Sequence, residues 1–305
     1  MSPQGTVRLA FIGFGEAGPQ IAKGMLGAGA RSVAAYDILA ADTATRDAWA
    51  AKAESVGARA CNTPADAVAE ADLILSTVTS ERALEAAESA APHLRQGQLY
   101  LDLNSCSPGK KVKAAKAVEG AAAVRYVDVA VMDTVPGRGH TVPMLLAGAA
   151  AEAAAETLRG FGMTVEVVGD TVGQASTIKM ARSVFMKGIE AILCESLVAA
   201  DRAGVADRVL ASIQTTFPDT DWRALATYHM GRMAVHGRRR AIEMDSVADT
   251  LRDLGLEPST ALGTRDRQMW VADLGMRDRF IDGGPETLEE FLAAVAERSG
   301  KSASH

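Results

Sequence analysis

An apolar run that ends in three spaced glycines and passes straight into a helical pattern constrains this chain most. Residues Val7 to Ile12 are followed by Gly13-Phe14-Gly15-Glu16-Ala17-Gly18, and then by Pro19-Gln20-Ile21-Ala22-Lys23-Gly24-Met25-Leu26. That order reads as a strand, a tight turn and a helix start. Gly13 permits the turn, Gly15 lets a pyrophosphate approach the backbone, and Gly18 lets the helix pack against the strand. The N–H groups at the helix start then face the phosphates. A glycine-rich turn without a ligand is the plain alternative. Against it stands a second strand, Ser32 to Asp37, which ends in an acid at about the separation expected of a ribose-binding carboxylate.

With 305 residues, 48% of them hydrophobic and 23% charged, the chain can bury a sizeable core in two domains or one large one. A net charge of −6 argues against a nucleic-acid surface as its main business. Cys61, Cys106 and Cys194 are too widely spaced for a metal pattern or a disulfide framework, which suits a reducing cytoplasm. No metal site is expected. Met1 to Thr6 is short and polar, unlike a signal peptide, and the apolar stretch Val142 to Ala155 is broken by Pro143, Gly148 and Glu152, unlike a membrane span.

The first half alternates strand and helix. Further strands are expected at Leu73 to Val78, Gln98 to Leu103, Val124 to Met132, Met144 to Ala147 and Thr164 to Val168. Helical patterns lie between them at Ala41 to Val56, Ser80 to Ala90, Pro108 to Val118 and Ala151 to Gly160. Such alternation predicts an α/β domain with a parallel sheet and helices on both faces. The pattern changes at Gly169-Asp170-Thr171-Val172-Gly173. One long helix is expected from Gln174 to about Ala203, and the remainder reads as helical, with stops at Gly204, Pro218, Gly237, Gly255 to Pro258 and Gly283 to Pro285. The expected division is therefore 1–170, a dinucleotide-binding domain, and 171–305, an all-helical domain.

Three groups of residues could carry chemistry. After the Gln98 to Leu103 strand comes Asn104-Ser105-Cys106-Ser107-Pro108. Ser107 and Pro108 are explained as an N-cap and a first helical residue. Asn104 and Ser105 are not needed for capping. They are either an ordinary loop or an anchor for an anion such as a carboxylate at a strand's carboxyl end. The long helix carries Lys179, Ser183 and Lys187 on one face, with Arg182 beside them. They form either a solvated basic stripe or a cleft-lining group, in which a partly desolvated lysine acts as a general base. Last come His229, His236, Arg238-Arg239-Arg240 and Glu243-Met244. Helical geometry points consecutive arginines in different directions, so solvent or acid pairing and recognition of a second polar group stand level.

The order G-x-G-x-x-G, Asp102-x-Asn104-Ser105-x-Ser107-Pro108 and a long helix opening Gly173-x-x-x-x-x-Lys179 resembles the β-hydroxyacid dehydrogenase family, whose members include 6-phosphogluconate and 3-hydroxyisobutyrate dehydrogenases. The resemblance covers about two thirds of the chain. The phrase Ile178 to Ser183 with Lys187-Gly188, and the segment His236 to Met244, look like a poorly characterised phosphogluconate-dehydrogenase-like branch. It implies a Rossmann-type NAD(P)-binding domain followed by an all-α domain that dimerises. By motif, Gly13, Phe14, Gly15, Glu16, Ala17 and Gly18 would bind the cofactor, with Thr79 near it. Asp37 would take the ribose hydroxyls and favour NAD over NADP. Ser105, with Asn104 nearby, would hold a substrate carboxylate, and Lys179 would be the catalytic lysine.

Two positions depart from the family pattern. Ser183 stands where an Asn is usual, and Met132-Asp133-Thr134 replaces a Ser-Gly-Gly that shapes the substrate pocket. The acid at 133 disfavours a second anion nearby through like-charge repulsion, and Met132 offers an adaptable apolar wall. The expectation is a cytoplasmic homodimer that binds neither nucleic acid nor membrane. It is expected to be an NAD(P)-dependent oxidoreductase of a small non-phosphorylated hydroxy acid or related alcohol. An imine reductase of the same plan is the first alternative, although such enzymes generally lack the lysine. A cofactor-sensing protein without turnover is the second.

Overall fold

Strand β1 (Arg8–Ile12) lies inside the sheet and alternates its side chains between two cores. Leu9 and Phe11 face one, Ala10 and Ile12 the other, as the two-residue period of a strand requires. The computed structural model describes residues 6–122, 124–281 and 283–300. The chain divides into two compact units between Lys179 and Met180.

In the first unit β1 is followed by α1 (Ala17–Gly27), β2 (Ser32–Tyr36), α2 (Arg46–Glu54), β3 (Arg59–Cys61), α3 (Pro64–Val68), β4 (Leu73–Ser76) and α4 (Ala83–Ala90). Then come β5 (Leu99–Asp102), α5 (Pro108–Ala122), β6 (Arg125–Val131), β7 (Met144–Ala147), α6 (Ala151–Gly160) and β8 (Val165–Gly169). The sheet order is β3-β2-β1-β4-β5-β6-β7-β8. Ile21 and Met25 of α1 and Leu158 of α6 cover one face; Val68 of α3, Ala87 of α4 and Val118 of α5 cover the other. Chain order reverses between β1 and β4, the switch point outside which open α/β sheets bind ligands. Register fixes what meets there. Ile12 is level with Ser76, Ser76 with Asp102, and Asp102 with Asp128, so β1, β4 and β5 end in one row that meets β6 at Asp128, three residues before its own end.

Every strand pairing is parallel except β6–β7, so β7 and β8 run opposite to the other six strands. A wholly parallel sheet is thus corrected. The 132–143 connection holds only a 3₁₀ turn, Gly139–Thr141, and a parallel return needs a longer crossover. The short elements β3 and α3 escape the sequence patterns, which need more residues to show a period. The helix expected from Ala41 is shorter, because a 3₁₀ turn over Ile38–Ala41, capped by Asp37, precedes α2.

Helix α7 (Gln174–Arg202) begins in the first unit and runs into the second. It is followed by α8 (Ala206–Thr216), α9 (Trp222–Asp253), α10 (Ser259–Asp273), α11 (Met276–Arg279) and α12 (Leu288–Ser299). Leu193 and Leu197 of α7, Met230 and Met233 of α9, Val271 of α10 and Phe291 of α12 share one core. Gly237 does not stop a helix. It lies inside α9, where an added Cβ would sit 2.9 Å from the Gln268 carbonyl of α10. The glycine is there for close helix packing, a reason the sequence signal for a helix end cannot distinguish. Among the described residues no helix is long and apolar enough to cross a membrane.

Candidate active site

The glycine turn is built as its spacing suggests, and the three glycines serve the different ends read for them. Gly13 has φ +85°, and an added Cβ would lie 2.4 Å from Val78 Cγ1 and 2.8 Å from the Thr77 carbonyl. At Gly18 the Cβ would meet Phe14 Cδ2 and Thr77 Oγ1 at 3.0 Å. Both glycines are demanded by the protein's own packing. Gly15 is not: nothing stands within 4 Å of its Cβ position, and the residue is exposed. Helix α1 starts beside it at Glu16 and Ala17 with no side-chain cap. An open backbone cradle facing an uncapped helix start fits a dinucleotide pyrophosphate.

Neighbouring strands hold that turn. Thr77 Oγ1 donates to the Gly13 carbonyl at 2.6 Å, and Gly13 N–H donates to the Tyr36 carbonyl at 2.8 Å. Asp37 accepts the Phe14 N–H at 2.7 Å on one oxygen and the Leu39 N–H at 3.1 Å on the other. Each oxygen keeps a second lone pair for a hydroxyl. The Phe14 ring is buried, edge-on to Phe11, so only its backbone belongs to the turn. Lys52 of α2 donates to the Gly15 carbonyl at 2.5 Å, a cation at the cradle that the sequence does not single out. Thr79 is exposed just past the end of β4.

Beyond β5, Asn104 is buried and its amide is engaged at both ends. Its oxygen accepts the Val78 N–H at 2.7 Å, and its nitrogen donates to Ser76 Oγ at 2.9 Å. It ties the ends of β4 and β5 together. Ser105, the next residue, is half-buried, and Lys179 Nζ donates to its Oγ at 2.5 Å. Thus two residues separated by 74 positions in the chain meet at the carboxyl edge of the sheet. Ser107 accepts the Lys110 N–H at 3.4 Å, as an N-cap does.

The segments that carry this pair are joined by a buried network that sequence reading missed. Lys111 of α5 is fully buried, 3.0 Å from Asp102 Oδ1 and 3.5 Å from Asp128 Oδ1. It also donates to the Asp102 carbonyl at 2.5 Å. Tyr126 donates to Asp102 Oδ2 at 2.5 Å. Asp128 in turn accepts the Gly173 and Ser176 N–H groups at 3.1 and 3.0 Å and the Ser176 hydroxyl at 2.5 Å. It caps the start of α7. Burial alone would pull the Lys111 pKa down, but Asp102, the Cys106 thiol and Asp128 outweigh it and hold the ammonium above its usual value. Burial pushes the Cys106 thiol up to about 12. The available signal was two acids, Asp102 at the end and Asp128 in the middle of apolar interior strands, since buried carboxylates require a cation or several donors.

Met132 packs with Ala130, Ala147 and Ala175. Asp133 is exposed and pairs with Arg138 at 2.9 Å. That pairing offsets part of the like-charge repulsion expected of residue 133. Thr134 donates its N–H to Asp133 and is exposed. A cavity of about 320 Å³ lined by Arg8, Ser32, Val33 and Arg59 lies at the amino ends of β1 and β2, the opposite end of the strands.

In the second unit, Lys187 is buried and paired with Glu243 at 2.9 Å. Of the two lysines on this helix face, 187 is held in an ion pair and 179 reaches the sheet edge. Ser183 lies one turn after Lys179 on α7 and is half-buried. The arginine run splits three ways. Arg238 pairs with Asp273 at 2.7 Å, Arg239 is exposed, and Arg240 is buried in a two-pronged pair with Glu190. His229 is buried beside Glu190. His236 is exposed, and its pKa is lowered by partial burial and by Arg239, Arg232 and Arg240.

Residues 8–173 match the model of the NAD binding domain of 6-phosphogluconate dehydrogenase, more than half of the chain. The chain belongs to this family. Residues 200–271 match a domain of unknown function, DUF1932. A conserved hypothetical protein from Sinorhizobium meliloti 1021 shares 40% identity over 96% of both chains, with a TM-score of 0.80. The conserved protein MTH1747, of unknown function and described as structurally similar to 3-hydroxyacid dehydrogenases, shares 30% identity over 87% of this chain and 98% of its own, with a TM-score of 0.71. The fold is also that of Mycobacterium tuberculosis 3-hydroxyisobutyrate dehydrogenase, at 17% identity, TM-score 0.69 and 95% and 98% coverage. An Aspergillus terreus imine reductase shares it as well, at 19% identity, TM-score 0.55 and 96% and 99% coverage. The first unit is therefore an NAD-binding Rossmann-type domain of a dehydrogenase family, and a helical domain follows it.

Proposed function

We propose that this NAD-binding dehydrogenase-family protein is an oxidoreductase of a small, non-phosphorylated hydroxy acid or related alcohol, with Lys179 as its general acid and base. The observation that carries the reading is the Lys179–Ser105 hydrogen bond at the carboxyl edge of the sheet. Gly13, Phe14, Gly15, Glu16, Ala17 and Gly18 would hold the pyrophosphate through their backbone. Asp37 would accept the ribose hydroxyls, and Thr79 would flank the cofactor beyond β4. The bound nicotinamide supplies or accepts the hydride. In oxidation neutral Lys179 takes the substrate hydroxyl proton on Nζ; in reduction its ammonium returns a proton to the carbonyl oxygen. The Ser105 hydroxyl donates to the substrate carboxylate, and Ser183 supports the reacting oxygen. Asn104 contributes by fixing the loop that carries Ser105.

Met132 supports a moderately apolar substrate, and Asp37 supports NAD over NADP, because a carboxylate repels a 2′-phosphate. Steady-state assays over small hydroxy acids, aryl alcohols and 6-phosphogluconate, each with NAD and NADP, test this. A higher kcat/KM for a non-phosphorylated compound with NAD is expected. A clear preference for the phosphorylated sugar acid contradicts the substrate class, and tighter binding of NADPH than NADH contradicts the cofactor choice.

The same reading includes a homodimer through the helical half. Phe185 and Ile192 are each 66% exposed and lie seven residues apart on α7, so they form one apolar stripe. Light scattering is expected to give twice the chain mass of 31.8 kDa. Phe185→Asp with Ile192→Asp is expected to halve it. A parent protein that is monomeric at micromolar concentration contradicts the dimer.

A further inference from the structure

The buried network joins the two segments that carry Ser105 and Lys179. Asp102 accepts the Asn104 N–H at 2.9 Å, at the root of the Ser105 loop. Asp128 holds Gly173 and Ser176, one turn before Lys179 on α7. Lys111 stands between the two carboxylates, and all three side chains are fully excluded from solvent. Nothing in the folding of a parallel sheet calls for three buried charges here, because apolar residues of the same volume would pack at no greater cost. We propose that Lys111 tunes the Lys179 amine through charge: bridging Asp102 and Asp128, it sets the net charge carried by the two segments that hold Ser105 and Lys179.

Its catalytic meaning rests on the reading of Lys179 as the acid and base. The arrangement itself does not. With Lys111 protonated, the three groups carry a net charge of −1. The other titratable groups facing Lys111 are the Tyr126 phenol and the Cys106 thiol, both kept neutral by burial. Lys111→Met keeps the length of the side chain and deepens the charge to −2 at the alkaline pH where lysines titrate. Asp128→Asn keeps the shape and an acceptor oxygen, and brings the charge to zero. A Lys179 amine on a segment joined to this network gains a proton more readily in the first variant and less readily in the second.

Acetylation of the full-length protein with acetic anhydride from pH 6 to pH 11, quantified at Lys179 by peptide mass spectrometry, reads this without any substrate. Exposed Lys23 on α1 is the internal reference. The Lys179 midpoint is expected to rise by about half a unit or more in Lys111→Met and to fall by a similar amount in Asp128→Asn, a roughly threefold change in neutral fraction each way. The double variant Lys111→Met with Asp128→Asn has the parent's net charge, and its midpoint is expected to return to the parent value. If Lys111→Met fails to fold, Asp128→Asn and the double variant carry the same contrast. NADH affinity is expected to stay within about twofold throughout, because the glycine cradle is untouched. Shifts of the same sign in both single variants mean loosened structure and overturn the proposal, as does an unmoved midpoint. If Lys179→Met retains turnover, the catalytic reading fails while the acetylation result still judges the network.

Discussion

Lys179→Met is expected to lower kcat by about two orders of magnitude or more while NADH binding stays nearly unchanged. Methionine keeps the unbranched stem and removes only the titratable amine. The cofactor cradle at Gly13 to Gly18 is built by β1, α1 and Thr77. Loss of a proton-transfer group should therefore fall on the chemical step. Lys187→Met is the control on the same helix. Lys187 is buried against Glu243, whose pKa is held below its usual value: burial raises it, but Lys187, Arg239 and Arg240 outweigh that. Removing Lys187 leaves a carboxylate without its partner, so the loss should appear in stability. If Lys187→Met abolishes turnover in a folded protein and Lys179→Met does not, the wrong lysine has been assigned.

The second large effect belongs to the helical unit. Arg240→Met is expected to destabilise it by about 3–5 kcal/mol, because a buried charge pair broken on one side leaves the other charge uncompensated. Glu190 is 1% exposed and accepts from Arg240 Nε at 2.8 Å, from Arg240 Nη2, and from Gln268 at 2.6 Å. Burial raises its pKa, but His229, Arg240 and Gln268 together hold it below the usual carboxylate range. In the parent that depressed pKa adds stability above the unfolded pKa, lost as pH falls through the folded one. In the variant Arg240, one of the groups that hold this pKa down, is gone, so less stability is lost as pH falls. The deficit should then shrink on acidification. Denaturant melts at neutral and mildly acidic pH, monitored by circular dichroism, measure both effects. Arg238→Met, which breaks an exposed pair with Asp273, should cost less than about 1 kcal/mol. Equal losses for Arg238→Met and Arg240→Met contradict the account.

These two sites differ in how far the sequence discloses them. The cofactor half is local: a strand, a turn and a helix start lie within residues 8–27, and Asp37 follows one strand later. Period and glycine spacing are enough to read it. The separate roles read there for the glycines hold in the structure: Gly15 leaves space, while Gly13 and Gly18 are closely packed. Ser105 and Lys179 are identified by motif, but their meeting depends on the alignment of β4, β5 and β6, which no local pattern encodes. Lys111 and Asp128 escape the sequence patterns because each sits in a segment with an ordinary explanation, a lysine-rich helix and an interior strand. Only strand register makes them neighbours. The arginine run shows the converse. Three adjacent residues looked like one cluster, yet the helical turn sends them to Asp273, to solvent and to Glu190. Gly237 and β7 were misread for the same reason, since close helix packing and an antiparallel return are tertiary events.

The most direct test of the central claim follows cofactor absorbance with the full-length protein, NAD or NADH, and saturating hydroxy or keto acids and aryl alcohols or aldehydes. The account predicts turnover with at least one non-phosphorylated compound, lost in Lys179→Met at unchanged NADH affinity. Tight NADH binding with no absorbance change in either direction across the whole panel would contradict it and mark the protein as a cofactor sensor.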